Sequence, residues 1–269
     1  MTRVPGTLFA KNLVERRGLI FQLVRRDFEQ RFVGSAAGWL WGLIHPLVLL
    51  MSWTFVFSIC LKMTLPPGEV TNSYALYLFA GMLPWLLFTD TVTRSSNSML
   101  DHANLITKTV FPAEVVPISV FLSSLISHGM ALVLVIAAIA VMENHITPLL
   151  LLLPVYMVLL GLFSVGIGWI AASLQVYLRD TVQMVSVILT FWFWLTPIFI
   201  TEDQVPERLQ FLIAGNPLAY IVRAYRQSLL SYQAPSFEEF AIVAACAAGT
   251  FIAGGLFFRH MKRGFADVL

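Results

Sequence analysis

Val115–Met142 reads VVPISVFLSSLISHGMALVLVIAAIAVM, 28 residues without one Asp, Glu, Lys or Arg. At about 1.5 Å per helical residue it reaches ~42 Å, more than the ~30 Å hydrocarbon core of a bilayer. A run of that length with no polar face is read as a membrane-spanning helix. Five more stretches share its character: Gly38–Leu61, Ser73–Arg94, Pro148–Val176, Val182–Ile200 and Phe237–Phe258. The chain of 269 residues is 58% hydrophobic and 12% charged, about half the charge of a soluble domain. The reading is an all-α integral membrane protein with six spans. Residues 1–37 form a cytoplasmic amphipathic segment and residues 38–269 a single transmembrane domain.

Lys and Arg orient it. The N-terminal segment holds Arg3, Lys11, Arg16, Arg17, Arg25, Arg26 and Arg31. Arg94 and Lys108 follow span two, Arg179 follows span four, and Arg259, Lys262 and Arg263 follow span six. Against these thirteen, the opposite side carries only Lys62, Arg208, Arg223 and Arg226. The positive-inside rule places both termini in the cytoplasm. No cleavable signal peptide is expected, because the first apolar run begins only at Gly38.

Before the first span, Ile20, Val24, Phe28 and Phe32 recur every fourth residue, with Arg25, Arg26, Glu29 and Gln30 off the stripe. This helix is expected to lie on the inner membrane face, with Phe28 in lipid and Arg25, Arg26 and Arg31 among headgroups. Packing against a protein partner is the rival reading. Span one opens on Trp39 and Trp41 and carries His45 and Pro46, a kink signal; Pro84 marks a bend in span two. Asp90 and Arg94 stand one turn apart and can pair. The outer loop Lys62–Asn72 holds Pro66, Pro67 and Gly68.

Small residues mark span four (Gly161, Gly166, Gly168, Ala171, Ala172) and span six (Ala244, Ala248, Gly249, Ala253). They let helices approach closely, within one subunit or between two. Thr201–Ser236 is too polar at its start to span. Its semi-apolar Leu209–Leu212 and Leu218–Leu230, broken at Gly215-Asn216-Pro217, suggest two short helices re-entering the outer half of the membrane.

Some chemistry is missing from the sequence. None of the four lysines follows a glycine, so a Gly-Lys phosphate loop is absent. HExxH, CxxC and Gly-x-Ser-x-Gly are absent too, no catalytic or metal residue is assigned, and no nucleic-acid partner is expected. Cys60 and Cys246 read as small apolar residues. The spans carry almost no central carboxylate of the kind proton-coupled carriers keep. His45 and His128 are expected to be hydrogen-bonded to neighbouring helices. Aromatics are plentiful instead, at 13%. Trp53, Phe57, Trp85, Phe191, Trp192 and Trp194 are candidates to line a path, since flat rings stack on sugars; membrane-facing bulk is the other reading.

Particular motifs resemble the ABC-2 permeases that export polysaccharides. They are Gly38-Trp39-Leu40-Trp41 with Pro46, Gly81-Met82-Leu83-Pro84-Trp85 with Phe88, and Asn104-Leu105-Ile106-Thr107-Lys108-Thr109-Val110-Phe111-Pro112. Tyr177-Leu178-Arg179-Asp180, Thr196-Pro197-Ile198, Val205-Pro206, Asn216-Pro217-Leu218 and Arg223 complete an ordered set. The resemblance implies a homodimeric permease in the cytoplasmic (inner) membrane, bound to two separate ATPase subunits that hold the ATP and Mg, with no cofactor in this chain. It implies a lipid-linked glycan cargo such as O-antigen, capsule or teichoic acid. It makes Asn104, Leu105, Ile106, Thr107, Lys108 and Phe111 the coupling segment, seated in an ATPase cleft. It gives spans one and five the channel lining and Asn216, Pro217 and Arg223 the outer re-entrant region. No family role carries over to His45. An ABC-2 exporter of small molecules is the first alternative, and a membrane enzyme of lipid-linked sugars the second. The enzyme requires acid–base groups in mutual reach, and the sequence offers no such cluster.

The charge bias gives a direct test of topology. In a cysteine-free background, single cysteines at Ser231 or Asn72 should react with an impermeant thiol reagent from outside, and one at Thr181 should not. Outside labelling at Thr181 in sealed cells would overturn the six-span arrangement.

Overall fold

The second apolar stretch becomes the axis of the structure. The computed structural model describes residues 16–31, 33–66, 70–71, 73–109, 111–144, 146–199 and 201–269. Phe32 of the amphipathic stripe, Pro67, Gly68, Asn72, Val110 and Ile200 lie outside the described residues, as do Arg3 and Lys11. The helices are α1 (Arg17–Gln30), α2 (Gly38–Cys60), α3 (Tyr74–Asp101), α4 (Ala103–Lys108), α5 (Val115–Met142) and α6 (Pro148–Tyr177). They continue as α7 (Thr181–Leu195), α8 (Gln210–Ala214), α9 (Pro217–Leu230), α10 (Phe237–Met261) and α11 (Phe265–Val268). No strand occurs among the described residues.

Ser73 caps α3 by accepting from the Leu76 N–H at 3.4 Å, and Pro84 lies inside the helix. Both sides of α3 are buried, from Tyr74 through Met99. In a helix buried on every side, hydroxyls turn back to their own backbone carbonyls. Thr91 donates to the Leu87 carbonyl at 2.7 Å, Ser96 to Val92 at 2.9 Å and Ser98 to Ser95 at 2.6 Å. α5, α6 and α9 pack around this axis, and α10 packs behind α6.

Glycines on three sides of α6 set that packing. A Cβ on Gly166 would stand 2.5 Å from the Thr250 carbonyl oxygen of α10, and one on Gly254 would run into the Gly166 carbonyl. A Cβ on Gly168 would stand 2.9 Å from the Ser95 Cβ of α3, and Gly161 makes room for the Phe121 ring of α5. The small residues of span four thus serve packing within the subunit. On α10 the buried stripe is Val243, Ala247, Gly254 and Phe258. Of the other small residues of span six, Ala248, Gly249 and Ala253 lie on its exposed face.

Three features differ from the sequence reading. α3 runs past Arg94 to Asp101, because no glycine or proline follows to stop it. α7 ends at Leu195 and not at Ile200. Pro197 disfavours helix at Thr196, which is extended at ψ 127°. At 15 residues α7 reaches only ~22 Å; five longer apolar helices are of spanning length among the described residues. In α2, Pro46 lies within the α-helical Trp41–Trp53, and the irregularity falls later, where Thr54–Cys60 widens into a π-helix.

α1 joins α2 through Gly34 at φ +77° and Gly38 at φ +54°, a left-handed path that favours glycine. Two helices separated at Gly215–Asn216, as expected, follow α7. Asn216 caps α9 by accepting from the Leu218 N–H at 3.1 Å, with Pro217 in its first turn.

Thr181 is buried and donates to the Leu178 carbonyl, so exposed Asp180 is the better inside reporter for labelling. The α6–α10 contact makes a second prediction. Gly254→Ala should lower the stability of the purified protein in detergent by about 1–3 kcal/mol, read as a lower melting temperature. Gly249→Ala, with open space at its Cβ, should leave it unchanged.

Candidate functional site

The end of α7 is fixed by one buried cation. Arg226 of α9 is 5% exposed and lies across α3 in the space left by Gly81. Its Nε donates to the Tyr77 carbonyl at 3.2 Å, and its terminal nitrogens to the Tyr77 hydroxyl (2.9 Å), the Pro197 carbonyl (2.8 Å) and the Ile198 carbonyl (2.7 Å). The guanidinium stacks 3.5 Å from the Tyr77 ring centroid. Asn216 completes the joint: its amide donates to Thr196 Oγ1 at 3.0 Å, while its oxygen accepts from the Trp192 indole at 2.9 Å. Counting Arg226 only as an outer-side charge missed this role. The signal was present, since Arg226 sits next to Tyr225 on the buried face that Leu218, Val222 and Leu229 define. Arg223, one turn earlier, pairs outward with Glu202 and Glu239 and tethers α9 to α10.

The six aromatic candidates separate by position. Trp85 is 6% exposed, packed on Phe88 and Phe193, and belongs to the core. Trp192 is half-buried against Phe88 and Phe163. Trp53 rests edge-on against Phe79, and Phe57 lies between Tyr74 and Phe199, all in half-buried settings. Phe191 and Trp194 are open, at 67% and 70% exposed. With Met184, Val187 and Ile188 they form an uncovered apolar face of α7. α2 offers a matching face of Val48, Met51, Phe55 and Ile59.

At the other end of α3, charges dock α1 onto the bundle. Arg31 reaches Asp90 at 3.2 Å, Ser124 at 3.0 Å and Ser127 at 3.1 Å. Arg94 pairs with Asp27 and stands 3.7 Å from Asp90, the partner expected from spacing. Ser124 donates to Asp90 at 2.6 Å. Arg31, expected among headgroups, has a side chain only 18% exposed; the structure holds it in this lattice. Arg25 and Arg26 are exposed, Phe28 is half-buried, and α1 lies along α5. Arg31, Asp90 and Arg94 border a cavity of about 540 Å³ between α2, α3 and α5, which His45 also lines. His45 is exposed and carries no hydrogen bond among the described residues, unlike the expectation. His128 meets it, buried with Nε2 3.2 Å from the Tyr225 hydroxyl.

α4 holds the segment expected to couple to an ATPase. Asn104, Thr107 and Lys108 are exposed, and Leu105 is half-buried. Ile106 and Phe111, expected to be open to a partner, pack against the chain's own core. Phe111 also stacks on His102 at 6.5 Å.

Comparison with known proteins places these features in a family. The family described as ABC-2 type transporter matches residues 18–230. An O-antigen export system permease protein RfbA of Myxococcus xanthus is 26% identical over 259 residues, covering 96% of this chain and 97% of the relative. Two proteins of the same name from Klebsiella pneumoniae are 29% and 28% identical over 254 and 258 residues. Each covers 93% of this chain and 95% of its own length.

Arg226→Met should cost about 3 kcal/mol or more, because it strands carbonyls inside the bundle; the purified protein should melt several degrees lower. Arg226→Lys should recover less than half of the loss, since an ammonium cannot span the same fork of acceptors. An unchanged melting curve for Arg226→Met would show that the guanidinium holds nothing.

Proposed function

The chain belongs to the ABC-2 type transporter family, and from that membership we propose that it is the permease subunit of an ATP-driven exporter moving lipid-linked polysaccharide of O-antigen type across the cytoplasmic membrane. One observation carries the cargo: the likeness to three permeases named for O-antigen export runs over more than nine-tenths of both chains. It favours a glycan over a small molecule.

Two copies meet in the membrane with both termini cytoplasmic. Two separate ATPase subunits bind ATP and Mg and engage α4 through Asn104, Thr107 and Lys108. The uncovered faces of α2 and α7 support a path between the copies, where a lone chain would leave large rings mostly exposed. Phe191 and Trp194 are the rings free to touch a sugar. Trp53 and Phe57 back the path, and Trp85 and Trp192 shape it from behind. α8 and α9 re-enter the outer half of the membrane, and Arg226 and Asn216 fix them to the end of α7. α1 rides at the inner interface, its Arg25 and Arg26 toward headgroups and its Arg31 toward the bundle.

Replacing both Phe191 and Trp194 with Ala removes two stacking surfaces worth ~0.5–1.5 kcal/mol each. In cells expressing the permease with its ATPase, glycan export should fall about tenfold while dimer and ATPase assembly persist. Export at the wild-type rate in a well-expressed double variant would take the glycan path away from α7.

A further inference from the structure

The end of the chain folds back beneath the bundle. After α10, Lys262–Gly264 make one 3₁₀ turn and α11 (Phe265–Val268) one helical turn. Phe265 is 1% exposed, its ring 5.5 Å from that of Phe258 and 6.1 Å from that of Tyr177. The Tyr177 hydroxyl donates to the Met261 carbonyl at 2.8 Å. A Cβ on Gly264 would stand 2.6 Å from that hydroxyl, so the turn fits with glycine there. α11 rests against α4, and Leu269 packs on the same core as Ile106 and Phe111. Lys262 donates to Glu114 at 2.5 Å, and the Glu114 carbonyl accepts from the Trp169 indole of α6 at 3.0 Å. The coupling segment therefore lies against α3, the helix that precedes it, and the C-terminal turn.

We propose that Lys262–Leu269 braces the coupling helix and forms with it one docking surface for the ATPase; the docking half rests on the reading of the chain as the membrane subunit of an ATP-driven exporter. α11 and α4 are neighbours, and both leave residues exposed: Asn104, Thr107 and Lys108 from α4, and Asp267 and Val268 from α11, with exposed Arg263 just before it. Their chemistry is mixed, with a carboxylate and an apolar side chain between cations and neutral polar groups. An anionic membrane surface attracts cations and repels Asp267, whereas a protein cleft accommodates both signs and an apolar contact. The partner is thus a protein. Ile106 and Phe111, two of the apolar residues that made α4 look like a docking peptide, instead pack on the core, and recognition falls to the polar rim.

The test uses the full-length permease in lipid nanodiscs, with and without its ATPase. Phe265→Ala loosens the brace; Asp267→Lys with Val268→Asp alters only the surface. Without ATPase, Phe265→Ala should raise amide hydrogen exchange across residues 103–108 about tenfold, and the surface variant should leave it unchanged. Both should weaken ATPase binding about tenfold, ~1.4 kcal/mol. If Phe265→Ala yields no folded protein, Gly264→Ala displaces the turn at the Tyr177 hydroxyl and serves in its place. Unchanged exchange in 103–108 overturns the brace. Unchanged ATPase affinity in the surface variant overturns the docking surface, as does an effect confined to retention on anionic-lipid vesicles. A wild-type permease that binds no ATPase defeats the transport reading itself, while the exchange measurement still decides the brace.

Discussion

A guanidinium inside an apolar bundle must have its donors met by protein, because lipid offers no acceptor. Arg226 meets that demand with carbonyls that also need partners, those beyond the last turn of α7. Each side of the bargain is costly alone and stable together. Much follows from this exchange. α7 can stop short at Leu195 because Arg226 and Asn216 receive its end, and Gly81 must stay small so that the guanidinium can lie across α3. α9, a helix with an arginine on its buried face, is held by hydrogen bonds as much as by packing. Arg223 faces the other way and ties the same helix to Glu202 and Glu239. Two arginines one turn apart thus fix α9 from within and from without.

The lattice at the opposite end follows the same rule with different means. Two arginines and two aspartates, from α3 and from α1 and its C-cap, neutralise one another, and Ser124 and Ser127 of α5 add hydrogen bonds to Arg31 and Asp90. Exposed ion pairs contribute little, but these side chains are largely covered. Their geometry also fixes the orientation of α1, which two glycines leave free to turn.

Class, number of apolar stretches and the break at Gly215–Asn216 were legible because they depend on composition and on residues with fixed backbone preferences. The Asp90–Arg94 relation was legible because both lie on one helix. What escaped is long-range. Nothing local to Arg31 says that Asp90, 59 residues away, will hold it; periodicity finds a polar face and not its partner. The aromatic candidates show the same limit. Phe191 and Trp192 are neighbours in sequence, yet helical geometry turns one outward and the other toward Asn216, and only the surrounding helices decide which is which. The segment expected to couple misled for a related reason: apolar residues in a short loop suggest a partner, and the C-terminal turn that lies against α4 is over 150 residues downstream.

Three hydroxyls near the uncovered faces of α2 and α7 are engaged within their own helices. Ser186 donates to the Val182 carbonyl, Thr190 to Ser186 and Thr54 to Leu50, each one turn back along its own helix. Their protons are committed, and what remains outward is the lone pairs of oxygen. A surface built this way can accept a hydrogen bond from a passing hydroxyl but has few hydroxyl protons to give in return. Such a wall offers contact without capture. A long, hydroxyl-rich chain sliding over it would exchange one weak hold for the next, and the friction of passage would be set by ring stacking rather than by hydrogen bonds that must be broken at every step.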